Sequence, residues 1–181
     1  HGNFHENLYI TATCDPAGEG DDFTAMTVCG MDSHRNIYIL DCINKHLKPN
    51  EIIDTIIKLN FKWKFNRFAI EKNFYAGMLQ KHLKEDIDKH RENDSFKVFT
   101  IEEIVASKTQ TNFNRVLKLQ PFFEQGRVYF PGTSFESLKG DFSELAYQII
   151  QFTGAGSKSP HDDLVISLSF KDSTGALGNI I

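Results

Sequence analysis

The chain has 181 residues, 40% hydrophobic and 24% charged, with a formal net charge of −4. That length allows one ordinary domain with a sizeable core, and the charge argues against general coating of nucleic acid while leaving room for a local basic patch and suiting a site that gathers cations. No apolar run approaches a membrane span, and no signal-peptide pattern is present. The first predicted element, "LYITATC" from Leu8 to Cys14, alternates and is β-rich, so it reads as a strand. It ends at "DPAGEGDD", a loop of turn formers and acids. "FTAMTVCGM" reads as a second strand and "NIYILDCI" as a third, joined by the turn "DSHRN". Two such connections make an antiparallel meander. Cys14, Cys29 and Cys42 all fall in these apolar stretches without metal-finger spacing, and read as buried free thiols in a reducing compartment.

The pattern then changes. "PNEIIDTIIKLNFKWK" places Ile52, Ile53, Ile56, Ile57 and Leu59 at near-helical spacing, with Asn50 as the expected N-cap. "RFAIE" is a short strand ending in Glu71. "FYAGMLQKHLKEDIDKHREN" follows as an amphipathic helix fading into a solvated charge run. "FKVFTI" is another strand. "TNFNRVLKLQPFFEQG" is helical with a break at Pro121, and "RVYFP" is a short strand. "SFESLKGDFSELAYQIIQF" has a helical pattern weakened by Gly140. "TGAGSKSP" is a loop, and the stretch "SPHDDLVISLSF" is the last helix. A three-strand antiparallel meander followed by alternating helix and strand implies an α/β fold, a mixed sheet flanked by helices. The ribonuclease H-like fold has this order, which other α/β folds share. The chain begins at His1 and not Met, which reads as a fragment or a processed chain.

Carboxylates stand at the element junctions. Asp15 closes the first strand, Glu71 closes the fourth, and Asp162 and Asp163 start the last helix. Taken singly, each has an ordinary use: Asp15 before Pro16 initiates a turn, Glu71 begins a helix, and the aspartate pair caps one. Taken together, converging carboxylates repel one another unless divalent cations neutralise them. Oxygen donors without a His/Cys set point to Mg²⁺ or Mn²⁺, and two such ions roughly 3.5–4 Å apart serve phosphodiester hydrolysis.

Four stretches, "TCDPAGEGDDFTAM", "FAIEKNFYAGML", "ASKTQTNFNRVLKLQPFFEQGRVYFP" and "SPHDDLVISL", together resemble the nuclease domain of the large terminase subunits of tailed bacteriophages. They occur in the family's order and span most of the chain. The resemblance implies a ribonuclease H-like, metal-dependent DNA endonuclease that cuts concatemeric viral DNA during genome packaging. It implies two ions, Mg²⁺ or Mn²⁺, on Asp15, Glu71 and the Asp162/Asp163 pair, with Asp163 favoured as the direct ligand. Residues 1–181 would be a single nuclease domain, C-terminal in a larger terminase whose ATPase domain is absent here. Two positions depart from the pattern: Ile166, where many relatives carry a further acid, and Thr111, where many carry an arginine.

His161 and Asp22 are candidates to support the acidic set, His161 by adjoining the two aspartates. Lys72, Lys108, Arg115 and Lys158 are the candidate DNA contacts. "FKWKFNRF", Phe61 to Phe68, interleaves basic and aromatic residues as nucleic-acid surfaces do. The simpler reading packs Phe61, Trp63 and Phe65 and leaves Lys62, Lys64 and Arg67 solvated. "TGAGSKS" lacks the spacing of a phosphate-binding loop, so ATP binding by these residues is not expected. The expected partner is double-stranded DNA, with the small terminase subunit and the portal in the full-length protein, no membrane, and a monomeric isolated domain. The expected location is the cytoplasm of the infected bacterial host. Two other readings stand beside the terminase: a Holliday-junction-resolvase-like nuclease of the same fold, and a non-catalytic DNA-binding module.

Overall fold

The computed structural model describes residues 7–16, 23–105, 112–152 and 163–170. Three antiparallel strands, β1 (Tyr9–Asp15), β2 (Thr24–Met31) and β3 (Ile37–Lys45), form the expected meander. Helix α1 (Pro49–Trp63) leads to β4 (Arg67–Glu71), which returns beside β1 in parallel. Then come α2 (Lys72–Phe74), a π-helical turn (Tyr75–Leu79), α3 (Gln80–His90) and β5 (Thr100–Ile104). Helices α4 (Asn112–Leu117) and α5 (Gln120–Glu124) precede β6 (Val128–Tyr129), and a 3₁₀ turn (Phe135–Ser137) precedes α6 (Asp141–Gln151) and α7 (Asp163–Ser169). The sheet order is β5-β4-β1-β2-β3-β6. The meander supplies the antiparallel pairs, and β4, β5 and β6 add in parallel.

Alternation along the strands sorts side chains to two faces. Ile10, Ala12 and Cys14 of β1, with Met26, Val28, Phe68 and Ile70, pack beneath Ile52, Ile53, Ile56 and Ile57 of α1 and Leu79, Leu83 and Ile87 of the following helix. The opposite face carries Ala25, Cys29, Ile37, Ile39 and Cys42 against Leu145 of α6 and Leu164, Val165 and Leu168 of α7. Ala69 and Ile104 extend that face to Ile166 and Phe170. All three cysteines are buried and free, as the sequence implied.

Several local expectations change. Helix α1 is capped by Lys48, not Asn50. Pro49, which has no N–H to satisfy, takes the first helical position, and Glu51 reaches back to accept the Lys48 N–H at 2.7 Å. The helix after Glu71 is not uniform: a π turn keeps Tyr75 and Leu79 both buried before Leu83 and Ile87 continue the apolar stripe. Its charged end is solvated as expected, with Lys89–Asp86 and Arg91–Asp88 pairs three residues apart. Strand β5 begins at Thr100, four residues later than "FKVFTI" suggested. Phe96 and Phe99 are core residues of an irregular segment, held where Asn60 donates to the Lys97 carbonyl at 2.8 Å. The helical pattern before Asp141 is interrupted at Gly140, whose φ of 58° suits a residue without Cβ.

Candidate active site

Strand β1 is the centre of the site because it pairs in parallel with β4. The pairing runs in register from Thr11 opposite Arg67 to Cys14 opposite Ile70. One residue further, Asp15 stands beside Glu71, each the last residue of its strand. Neighbouring strands lie roughly 4.8 Å apart, so the two backbones present their carboxylates as adjacent groups. Their face is fixed by their partners. Asp15 pairs across with Ala25, and Glu71 with Ile104, both on the side covered by α7. Both acids are half-buried. Cys14 points the other way, into the α1 side of the core. Its thiol is pushed up by burial and further by the Asp15 carboxylate, so it stays protonated beside the acids.

Helix α7 brings the third acid. Asp163 is its first residue, half-buried, and the six residues after it are buried. Two contacts hold the helix on the sheet. Ser167 Oγ lies 3.0 Å from Thr13 Oγ1, which in turn lies 2.6 Å from Thr27 Oγ1. All three hydroxyls are buried, so this chain ties α7 to β1 and β2 directly beneath Asp15. At the helix head, Gln148 of α6 accepts the N–H groups of Leu164 and Val165 at 3.0 and 3.1 Å. Asp163 is one turn before Ser167, on the same side of α7.

Among the described residues, no three His, Cys, Asp or Glu side chains stand close enough together to hold one metal ion. Asp162, His161 and Asp22 lie outside the described residues, as do Lys108 and Lys158. The structure therefore brings Asp15 and Glu71 side by side and mounts Asp163 on the helix that covers the same face. The donors are carboxylate oxygens with no ionised thiol among them, a set that fits a hard divalent cation.

The basic residues divide. Lys72 follows Glu71 at the start of α2, with an exposed side chain and a loose 3.9 Å approach to Glu103. Arg115, expected at a DNA surface, is buried at 6% exposure. Its guanidinium lies over the Phe170 ring at 5.5 Å and reaches toward the Val105 carbonyl at 3.5 Å. It ties α4 to the end of β5 and to the segment closing α7, which removes it from the contact surface. Arg67, expected in solvent, is also buried, because Glu102 on the neighbouring strand meets it at 2.7 Å. Lys62 does stay exposed, bonded at 2.8 Å to Asp41, which also accepts the Trp63 indole N–H. Sequence reasoning missed Gln148, Thr13 and Ser167. Their only signal was polarity at positions where helix and strand patterns call for apolar residues.

Residues 14–128 match the family described as Terminase Bacteriophage T7, Ribonuclease H-like domain. The chain belongs to that family. Strand order and flanking helices give this terminase domain its ribonuclease H-like fold, and solved structures share it. The large terminase nuclease of thermophilic phage G20c, with bound magnesium, superposes with a TM-score of 0.54 at 14% identity, over 91% of this chain and 80% of that one. The HK97 bacteriophage large terminase gives 0.59 at 10% identity, over 94% of this chain and 39% of that one. The yeast mitochondrial Holliday junction resolvase Ydc2 gives 0.53 at 12% identity, over 88% and 76%. No curated protein matches the terminase domain by sequence.

Proposed function

We propose that this terminase domain is a divalent-metal-dependent DNA endonuclease that cuts concatemeric viral DNA during genome packaging. The observation that carries this reading is the placement of Asp15 beside Glu71 at the ends of parallel strands, on the face covered by the Asp163 helix. Adjacent carboxylates held half-buried repel one another, and a bound cation relieves that repulsion. Asp15, Glu71 and Asp163, with Asp162, would hold two Mg²⁺ or Mn²⁺ ions, which supply activation of water and stabilisation of the leaving oxygen in phosphodiester hydrolysis. The magnesium bound to the G20c nuclease supports this choice of ion.

The chain's own residues orient these groups. Asp15, on the central strand with Glu71 on one side and α7 above, would hold metal together with both neighbours. Lys72 leaves an exposed ammonium next to Glu71, where a backbone phosphate approaching the acids would meet a positive charge. Lys108 and Lys158 are further proposed phosphate contacts, and His161 and Asp22 proposed supports of the acidic set. Double-stranded DNA is the proposed substrate, with the small terminase subunit and portal as partners of a larger terminase in the cytoplasm of the infected bacterium. The isolated domain is proposed to be a monomer.

A second reading is favoured by the likeness to the yeast mitochondrial resolvase, which is nearly as strong as that to the G20c nuclease. In that reading the substrate is a four-way junction. One experiment separates the two. Purified protein is given linear duplex, supercoiled plasmid and a synthetic four-way junction, each with and without Mn²⁺. Cutting of plasmid and linear duplex with Mn²⁺ supports the packaging nuclease. Cutting confined to the junction supports the resolvase, and no cutting of any substrate overturns both.

A further inference from the structure

We infer that Gln148 is a positioning residue for the acidic site: it sets where Asp163 stands, acting through the backbone of α7. The inference rests on the nuclease reading above for its consequence, and on geometry for its substance. Gln148 is buried at 2% exposure, on α6. Its side-chain oxygen accepts two backbone N–H groups, from Leu164 and Val165, the two residues after Asp163. These belong to the first turn of α7, whose N–H groups have no partner inside the helix. A residue of the helix itself usually satisfies such groups. Here a glutamine from another helix does so.

The amide can face only one way. Two N–H donors need an acceptor, so Oε1 must point at α7, and Nε2 then points back to Glu144, which accepts it at 3.1 Å. Glu144 thus orients the amide. The helix carrying both residues is itself tied to the sheet, because Asp141 at its first position accepts the Asn44 N–H of β3 at 3.1 Å. Asn44 pairs with Ala25, and Ala25 pairs with Asp15. A continuous set of bonds therefore runs from the strand beside Asp15, through α6, to the residues beside Asp163. The Ser167–Thr13 contact fixes the helix one turn further along. With both ends held, the first residue of α7 has little freedom to tilt away from Asp15. Partners that orient ligand-bearing elements typically change metal affinity about 10–100-fold when removed.

The test uses Gln148→Met, which keeps length and removes the acceptor, and the exchange Gln148→Glu/Glu144→Gln, which keeps an acceptor oxygen toward α7 and an amide–carboxylate bond within α6. Two readouts are taken without DNA: Mn²⁺ affinity by calorimetry and amide hydrogen exchange at Leu164 and Val165. Gln148→Met is expected to exchange faster at those two amides while Thr27 and Cys29 of β2 keep wild-type protection, and to bind Mn²⁺ about tenfold more weakly. The double variant Gln148→Glu/Glu144→Gln is expected to restore protection and affinity. Wild-type exchange and affinity in Gln148→Met would overturn the inference. Should that variant not fold, Glu144→Ala carries the same test: faster exchange at Leu164 and Val165 supports it, and unchanged exchange overturns it. Failure of the nuclease reading looks different, since the wild-type protein would then bind no Mn²⁺ while the exchange data still decided the role of Gln148.

Discussion

Asp15 and Glu71 end two parallel strands in the same register, one residue beyond the pair Cys14 and Ile70, with both side chains on the α7 face. Asp15→Asn is expected to abolish Mn²⁺-dependent plasmid cleavage while leaving the circular dichroism spectrum unchanged. Removing one of two adjacent like charges also relieves repulsion, so Tm without metal should be equal to or above wild type. Cleavage at the wild-type rate by the purified variant would remove Asp15 from the site.

For the aspartate pair, the two substitutions Asp162→Asn and Asp163→Asn should differ. Asparagine caps helices about as well as aspartate, so a purely capping role would leave both variants near wild type in stability and cleavage. The expected result is loss of cleavage in Asp163→Asn with Tm retained, and a smaller loss in Asp162→Asn. Rates measured across a Mn²⁺ titration, with melting curves beside them, decide it.

The Arg67–Glu102 pair should behave as a buried ion pair. Both side chains are largely shielded, at 7% and 15% exposure, and they meet at 2.7 Å. Arg67→Met alone leaves a carboxylate without its cation and is expected to destabilise by about 3 kcal/mol. The double variant Arg67→Met/Glu102→Leu should recover most of that, because well-packed apolar residues often replace such pairs at little net cost. Urea denaturation of the single and double variants measures the difference; a double variant no more stable than the single one contradicts it.

Asp32 gives a pH dependence with a definite sign. Burial pushes its carboxyl up, but bonds from the Asn36 backbone and side chain, the Tyr38 hydroxyl and the His34 N–H outweigh this and hold it below the ordinary aspartate value. A group lowered on folding stabilises the native state above its unfolded pKa, and that contribution is lost as pH falls through the folded value. The stabilisation from Asp32 is thus fully present at pH 7 and declines once pH drops below about 4. Asp32→Asn should lower Tm at pH 7, and its deficit against wild type should shrink at acid pH. A constant deficit at every pH would count against it.

The three strands of the meander, β4 and the last helix follow from alternation and helical spacing, and the ends at Asp15, Glu71 and Asp163 were legible with them. The neighbouring position of Asp15 and Glu71 was not, because a parallel pair joined through a helix leaves no mark in either strand's own pattern. Arg67 and Arg115 misled for a related reason. A basic side chain reads as solvated unless its partner is known, and Glu102 and Phe170 come from other elements. Gln148 offered only its polarity: a polar residue within a helical pattern carries no signal of the two backbone donors it will meet on α7. The capping of α1 by Lys48 in place of Asn50 turned on the reach of one side chain, Glu51.

The hydroxyl contact between Thr13 and Ser167 joins residues 154 positions apart in the chain. Ribosomes add about 5–20 residues per second, so Ser167 is made roughly 8–30 s after Thr13. In the course of that interval the meander, β4 and the rest of the sheet are synthesised, with Asp15 and Glu71 on them, before the helix bearing Asp163 exists. The proposed acidic set is therefore finished only when α7 has been made, long after the strands that carry Asp15 and Glu71. A nascent chain that stops short of α7 carries two corners of the proposed site and lacks the third, which makes synthesis of α7 a condition for assembling it.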